Sequence, residues 1–315
     1  MTAFAFVFPG QGSQSVGMLD AWGDHPVVRD TLAEASQALG EDLGALIAQG
    51  PKEALALTTN TQPVMLVAAI AAWRVWQAEV GVMPLALAGH SLGEYSALVA
   101  SGVLTLQQAV PLVRLRAQAM QEAVPVGQGA MAAILGLQAQ QVVQGCAEVV
   151  AELGPDQTVS AANFNDPGQT VIAGTKAGVD KACEALKAMG AKRALPLPVS
   201  APFHCSLMKP AAERLRERLA QVQFQPPKIP VVNNIDVAAP EMADAIRDAL
   251  YRQAFGPVRW VECIAALKAR GATHIIECGP GKVLAGMVKR IDPDLQSGAV
   301  FDPTTLAEVR ATLGA

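Results

Sequence analysis

Apolar positions change rhythm along the chain, and the changes mark its elements. Phe4 to Phe8 is a short continuous apolar run broken by Pro9-Gly10, which predicts a buried strand. Helical spacing follows around Val27 to Leu39 and Pro63 to Val80, then a second short run, Leu85 to Ala88, and a helix-prone stretch from Glu94 to Ala100. Thr105 to Ala123 predicts another helix, opened by Thr105 and Gln108 at capping-box spacing, with Pro111 deep enough inside to kink it. From Gly129 the order becomes strand Met131 to Leu135, helix Gln138 to Leu153, strands Thr158 to Ala162 and Thr170 to Ala173, helix Ala177 to Met189 and strand Lys192 to Leu197. That βαββαβ order is a ferredoxin-like unit, bounded by Gly127-Gln128-Gly129 and Pro196-Leu197-Pro198. Beyond it come a helix from Met208 to Val222, strand Pro230 to Asn233, helix Met242 to Gln253 and strand Thr273 to Glu277, running through a glycine turn into a last helix.

The pattern predicts one large α/β domain, residues 1–128 and 199–315, carrying residues 129–198 as an inserted small domain, with the active cleft between them. A length of 315 residues suits that arrangement. The composition is 51% hydrophobic with a net charge of −4, and without a basic excess neither a nucleic acid nor a membrane surface is an expected partner. Five cysteines, odd in number and without C-x-x-C spacing, predict neither a disulfide framework nor a zinc site and fit a reducing cytoplasm. The N-terminus lacks a basic region before its apolar stretch, and Arg74 stops the run from Val64 short of a bilayer span.

Candidate chemistry concentrates in Gly89-His90-Ser91-Leu92-Gly93, between a short strand and a helix. A strand ending in G-x-S-x-G and turning at once into a helix forms a nucleophile elbow, with the serine in a strained conformation and its hydroxyl clear of the sheet. Glycines flank it because a Cβ there would collide with the adjoining strand or helix. A serine hydroxyl needs a base, and the chain has four histidines. His90 should leave the elbow in another direction, His25 reads as a loop residue and His274 as a strand edge. His204 lies where the chain returns from the inserted unit, in Pro202-Phe203-His204-Cys205. Cys205 is a poor rival, because neighbours on an extended segment point to opposite faces.

Taken in order, Phe8-Pro9-Gly10-Gln11-Gly12-Ser13-Gln14, Gly89 to Glu94, Arg114-Leu115-Arg116, Pro202-Phe203-His204, Val232-Asn233-Asn234, Arg252-Gln253 and Glu277-Cys278-Gly279-Pro280-Gly281 resemble the malonyl-CoA:acyl-carrier-protein transacylases and the acyltransferase domains of polyketide synthases. The resemblance runs nearly end to end. It implies an α/β fold with a large hydrolase-like domain around a mostly parallel sheet, plus the ferredoxin-like insertion, working as a cytoplasmic monomer. It also implies ping-pong transfer of malonyl from malonyl-CoA to the phosphopantetheine thiol of an acyl carrier protein, with no metal and no cofactor beyond the coenzyme A thioester substrate.

Carried over by position, Ser91 is the expected nucleophile, His204 its base, and the Gln253 carbonyl the group that orients the imidazole. The backbone N–H groups of Leu92 and Gln11 form the expected oxyanion hole. Arg116 is the expected clamp for the malonyl carboxylate. Residues two apart on a helix project about 200° apart, so Arg114 cannot enter the same cleft and is assigned to the surface or to bracing. Met120, one turn after Arg116, is expected to wall the acyl pocket, and Phe203 to leave little room for an α-branch, which resembles the polyketide acyltransferase pattern that selects malonyl over methylmalonyl.

Other signals have plainer readings. Gly279-Pro280-Gly281-Lys282 lacks the first glycine and the Ser/Thr of a phosphate loop and reads as a turn. Asn163, Asn165 and Asp166 before Pro167-Gly168 read as a turn between strands. Lys187, Lys192 and Arg193, with Lys282, Lys289 and Arg290, are basic groups suited to an acidic carrier protein.

Overall fold

The computed structural model describes residues 2–315. In chain order its strands are β1 (Phe4–Phe8), β2 (Leu87–Gly89), β3 (Gly129–Leu135), β4 (Val159–Asp166), β5 (Gln169–Thr175), β6 (Arg193–Pro196), β7 (Val231–Val232), β8 (His274–Cys278) and β9 (Gln296–Val300). The helices are α1 (Pro26–Leu39), α2 (Leu43–Gln49), α3 (Lys52–Ala56), α4 (Thr58–Glu79), α5 (Gly93–Ala100), α6 (Leu106–Glu122), α7 (Ala139–Leu153), α8 (Lys176–Ala188), α9 (Lys209–Leu219), α10 (Ala243–Gln253), α11 (Trp260–Ala269), α12 (Val283–Ile291) and α13 (Pro303–Leu313).

Two sheets divide these elements. The first has the order β7-β2-β1-β8-β9, and every pair in it is parallel. A parallel sheet covered on both faces has strands without polar alternation, and all five residues of β1 are buried. Phe4, Phe6 and Phe8 point into one core, with α4 and α6, while Ala5 and Val7 point into the other, with Trp260, Ile264 and Val288 of α11 and α12. α4 lies inside the first core, apolar on all sides from Val64 to Trp73, where Trp73 and Trp76 pack edge-on against Phe6. No helix among the described residues is long and apolar enough to cross a membrane.

The second sheet is antiparallel, ordered β4-β5-β3-β6, and comes entirely from the βαββαβ segment. Ala132 and Ile134 of β3 face α7 and α8, whereas Met131 and Ala133 face Phe203 and Cys205, and Phe203 also packs on the core of the first sheet. Thus Phe203 bridges the two halves. β4 is longer than the pattern predicts: it continues through bulges at Ala162 and Asn165 to Asp166. Its extension pairs with the loop before α11, Phe164 N–H donating to Val258 O at 2.9 Å and Val258 N–H to Ala162 O at 2.8 Å. Asn163 and Asn165 are therefore strand residues, and the expected turn is confined to the two residues Pro167 and Gly168.

α6 runs unbroken through Pro111, which lies in its second turn and whose missing N–H removes a single rung. The capping box forms, Gln108 N–H reaching Thr105 Oγ1 at 3.2 Å and Thr105 N–H reaching Gln108 Oε1 at 3.0 Å. That start sets the phase of the helix, so Arg116 and Met120 are buried while Arg114 turns away to pair with Glu41.

Candidate active site

The elbow is built by close packing of backbone. Ser91 has a positive φ of 54°, which a non-glycine residue holds only where its surroundings enforce it. A Cβ on Gly89 would lie 1.9 Å from the Gly93 carbonyl, and one on Gly93 would lie 2.1 Å from Phe8 O of β1. Both glycines are thus required by the turn from β2 into α5. Asn234, after β7, holds the elbow from the other side: its Oδ1 accepts the Ser91 N–H at 2.8 Å and its Nδ2 donates to Gly89 O at 2.8 Å.

His204 also has a positive φ, 60°, so the segment around it is a tight turn and not the extended run expected. Cys205 is directed elsewhere for that reason: its thiol donates to Pro202 O at 3.1 Å, and burial pushes its pKa up to about 11. Nε2 of His204 lies 2.6 Å from Ser91 Oγ. Nδ1 lies 2.9 Å from Gln253 O and 3.2 Å from Gly256 O, two acceptors that place the proton on Nδ1 and leave Nε2 free to take one. Burial, and then the charge of Arg116, push His204 down to about 3, so the imidazole is neutral in the unliganded site.

Arg116 is 2% exposed. Its Nη1 donates to Gln62 Oε1 at 2.8 Å, its Nη2 to Gln253 Oε1 at 3.1 Å and to Ser91 Oγ at 3.3 Å, and the guanidinium lies 5.4 Å from the centre of the Tyr95 ring. Every one of these partners is neutral. Among the described residues no carboxylate lies within ion-pair distance of it, which leaves a desolvated cation directed at the Ser91 hydroxyl.

A cavity of about 200 Å³ opens over Ser91 between the two sheets. Arg116, Met120, Phe203 and His204 line it from one half, Asn163, Asn165 and Val171 from the other. Gln11 and Leu92 also border it, and neither backbone N–H has an acceptor among the described residues. Gly10 lets the Gln11 turn approach the elbow, since a Cβ there would fall 2.6 Å from His90 O; Gly12 supplies a φ of 116°. The Gln11 side chain is tied down by Thr58 Oγ1 at 2.9 Å.

The remaining histidines stand apart from the hydroxyl. His90 turns toward the second sheet, Nε2 lying 2.8 Å from Asn165 Oδ1, against the Trp260 ring; His25 caps α1 and pairs with Glu79; His274 opens β8. Asp166 is buried and accepts from Arg290 Nε at 2.8 Å, so Arg290 braces α12 against β4 and is not a free surface cation.

Sequence reasoning missed the second layer. Glu94, Asn234, Gln62 and the side chain of Gln253 are all buried around Ser91 and Arg116. Glu94 Oε2 accepts from Asn234 N–H at 2.9 Å and from Gln253 Nε2 at 3.0 Å, and burial pushes its carboxyl up to about 7. The available signal was polarity in the wrong place: Gln62 lies two residues before the apolar run of α4, and Glu94 is the one charged residue of a short, buried helix.

Known proteins share this architecture throughout. The acyl transferase domain family matches residues 5–296. The malonyl CoA-acyl carrier protein transacylase of Escherichia coli K12 is 54% identical over 308 residues, 98% of each chain. The crystal structure of acyl-carrier-protein S-malonyltransferase from Burkholderia pseudomallei superposes with a TM-score of 0.95 at 63% identity, covering 98% of this chain and 99% of that one. A malonyl-transacylase solved in complex with a type II polyketide synthase acyl carrier protein superposes with a TM-score of 0.96 at 51% identity, over 99% of this chain and all of that one. With a fold, a serine hydrogen-bonded to a buried histidine and a full-length likeness that agree, the chain belongs to the acyl transferase family and is an acyltransferase of the kind these transacylases represent.

Proposed function

We propose that this enzyme moves the malonyl group from malonyl-CoA to the phosphopantetheine thiol of an acyl carrier protein, through a malonyl ester on Ser91, in fatty acid synthesis. The observation that carries the reading is the buried Arg116, a cation without a carboxylate partner, 3.3 Å from the serine hydroxyl. A malonyl group on Ser91 brings its free carboxylate to that guanidinium, and two parallel N–H donors match it. The relatives named above act on malonyl and carrier protein, which supports the same substrates here.

In this reading Ser91 Oγ attacks the thioester carbonyl while His204 Nε2 takes its proton. The carbonyl oxygen becomes an oxyanion, held by the N–H groups of Leu92 and Gln11. The C–S bond then breaks and coenzyme A leaves as a thiol with the proton from His204. In the second half the pantetheine thiol gives its proton to His204 and attacks the ester, and Ser91 departs with that proton. Gln253 O and Gly256 O hold the imidazole but add no negative charge to it, so the pair works as a dyad. The division into residues 1–128 with 199–315 and residues 129–198 belongs to the same proposal, the cavity between the two sheets being the place for the acyl chain.

Mass spectrometry of the enzyme mixed with malonyl-CoA alone tests the proposal. The expected result is one malonyl group on Ser91, with turnover stalling until a pantetheine thiol is added. Continuous release of malonate into water would show a hydrolase instead, and an acyl group on Cys205 would overturn the assignment of the nucleophile.

A further inference from the structure

Glu94 takes no part in the transfer as derived above, yet both arms of the site hang from its carboxylate. It is 2% exposed in the first turn of α5. Its Oε2 accepts from the backbone N–H of Asn234 at 2.9 Å, and Asn234 in turn holds the Ser91 N–H and Gly89 O. The same oxygen accepts from Gln253 Nε2 at 3.0 Å, and that nitrogen also donates to Ser91 O at 3.0 Å.

The second link fixes an orientation that Gln253 could not choose by itself. A primary amide has two faces of similar shape, one donating and one accepting, and Glu94 Oε2, which already takes the Asn234 N–H, is an acceptor here. With Glu94 Oε2 and Ser91 O on one side, the amide must present its NH₂ there and turn Oε1 toward Arg116, which it meets at 3.1 Å. The opposite flip would set N–H groups against the guanidinium and leave oxygens facing oxygens. Glu94 thereby decides what Arg116 leans on, and through α10 it steadies the Gln253 carbonyl that receives His204 Nδ1–H at 2.9 Å.

We propose that Glu94 is a positioning residue for the transfer, its carboxylate orienting Asn234 and Gln253 so that the elbow, the base and the carboxylate clamp are held in register. This inference rests on the roles proposed above for Ser91, His204 and Arg116.

The test compares wild type with Glu94→Gln and Glu94→Leu, each corrected for its folded fraction. Three rates are read: sulfonylation of Ser91 by phenylmethylsulfonyl fluoride, and single-turnover acylation by malonyl-CoA and by acetyl-CoA. For the leucine variant we expect malonyl acylation to fall about a hundredfold per folded molecule, the cost of small misplacements of reacting groups. The preference for malonyl over acetyl should shrink as well, because Arg116 loses its fixed partner. The glutamine variant should recover part of both, since its side-chain oxygen can occupy the same acceptor position. Wild-type rates and wild-type donor preference in a folded leucine variant would overturn the proposal, as would losses that only track melting temperature. If the leucine variant does not fold, unchanged rates and preference in the glutamine variant overturn it. A wild-type enzyme that malonyl-CoA does not acylate at Ser91 would instead overturn the reading beneath it, and the sulfonylation rates would still decide the role of Glu94.

Discussion

Arg116 Nη2 donates to Ser91 Oγ across 3.3 Å, so the cation proposed to recognise the acyl group and the atom proposed to carry it are in direct contact before substrate arrives. The short span suits a three-carbon diacid, whose carboxylate lies two bonds from the carbonyl under attack. Arg116→Ala should therefore weaken malonyl transfer by roughly 2–5 kcal/mol in kcat/KM, the cost of leaving one partner of a buried charge pair alone. Acetyl transfer should lose much less, and succinyl-CoA should be a poor donor to the wild type. Equal losses for malonyl and acetyl would show that Arg116 only supports the fold.

Ser91→Ala should abolish the acyl-enzyme and cut transfer by several orders of magnitude, since no other nucleophile points into the cavity from the elbow. The thiol of Cys205, buried and bonded to Pro202 O, is no substitute. Intact-mass measurement after mixing with malonyl-CoA checks this, and substantial turnover by the mutant would refute it.

The pH dependence follows from His204, pushed down to about 3 by burial and by Arg116. A base that stays neutral through the ordinary imidazole range should contribute no inflection near 6.5 to the kcat/KM profile. Removing the Arg116 charge removes a downward push, so the acid limb in Arg116→Ala should move to higher pH. The stability sign is separate: the folded chain keeps this imidazole neutral while the unfolded chain protonates it below about 6.5, so its contribution is lost as pH falls from there toward 3. Stopped-flow acylation across pH, in both proteins and in Glu94→Gln, would reveal a limb at 6.5 that persists without the Glu94 carboxyl if the assignment is wrong.

Glu277 works in the opposite direction. It is wholly buried at the end of β8; Oε2 accepts Ala285 N–H at 2.9 Å, Oε1 has no partner among the described residues, and burial pushes the carboxyl up to about 7. Stability from its neutral form is complete below 4.5 and is lost as pH rises through about 7. Glu277→Gln should therefore gain on the wild type in thermal melts as pH increases over that window. Parallel melting curves would contradict the assignment.

Carrier docking is expected to use the exposed cations near the second sheet, Lys192 and Arg193, or those of the α12 region, Lys282 and Lys289. Charge reversal in either pair should raise the KM for carrier protein at low salt, leave malonyl-CoA kinetics nearly unchanged and flatten the salt dependence. Arg290 is excluded from this test because its reversal would break the pair with Asp166. Unaltered carrier kinetics in both double mutants would place docking elsewhere.

What the sequence determined by itself is local. The elbow follows from a short apolar strand, two glycines and a helix start, all within a few residues of Ser91, and helix phase admits only one of Arg114 and Arg116 to the cleft, the family resemblance naming which. The βαββαβ order was likewise readable, because each of its elements carries its own periodicity. Elements that lean on neighbours were not: β9, with Ser297 and Gly298 inside it, forms at the edge of the first sheet by pairing with β8, and Gly44 and Pro51 obscure the short α2 and α3. Tertiary structure alone brought His204 to Ser91 across 113 positions, Asn234 across 143 and Gln253 across 162. The non-sequential order β7-β2-β1-β8-β9 makes those meetings possible. It also decided the roles of Glu94 and Gln62, because polar side chains gain fixed partners only when folding removes water from around them, and sequence spacing does not record which donors then converge.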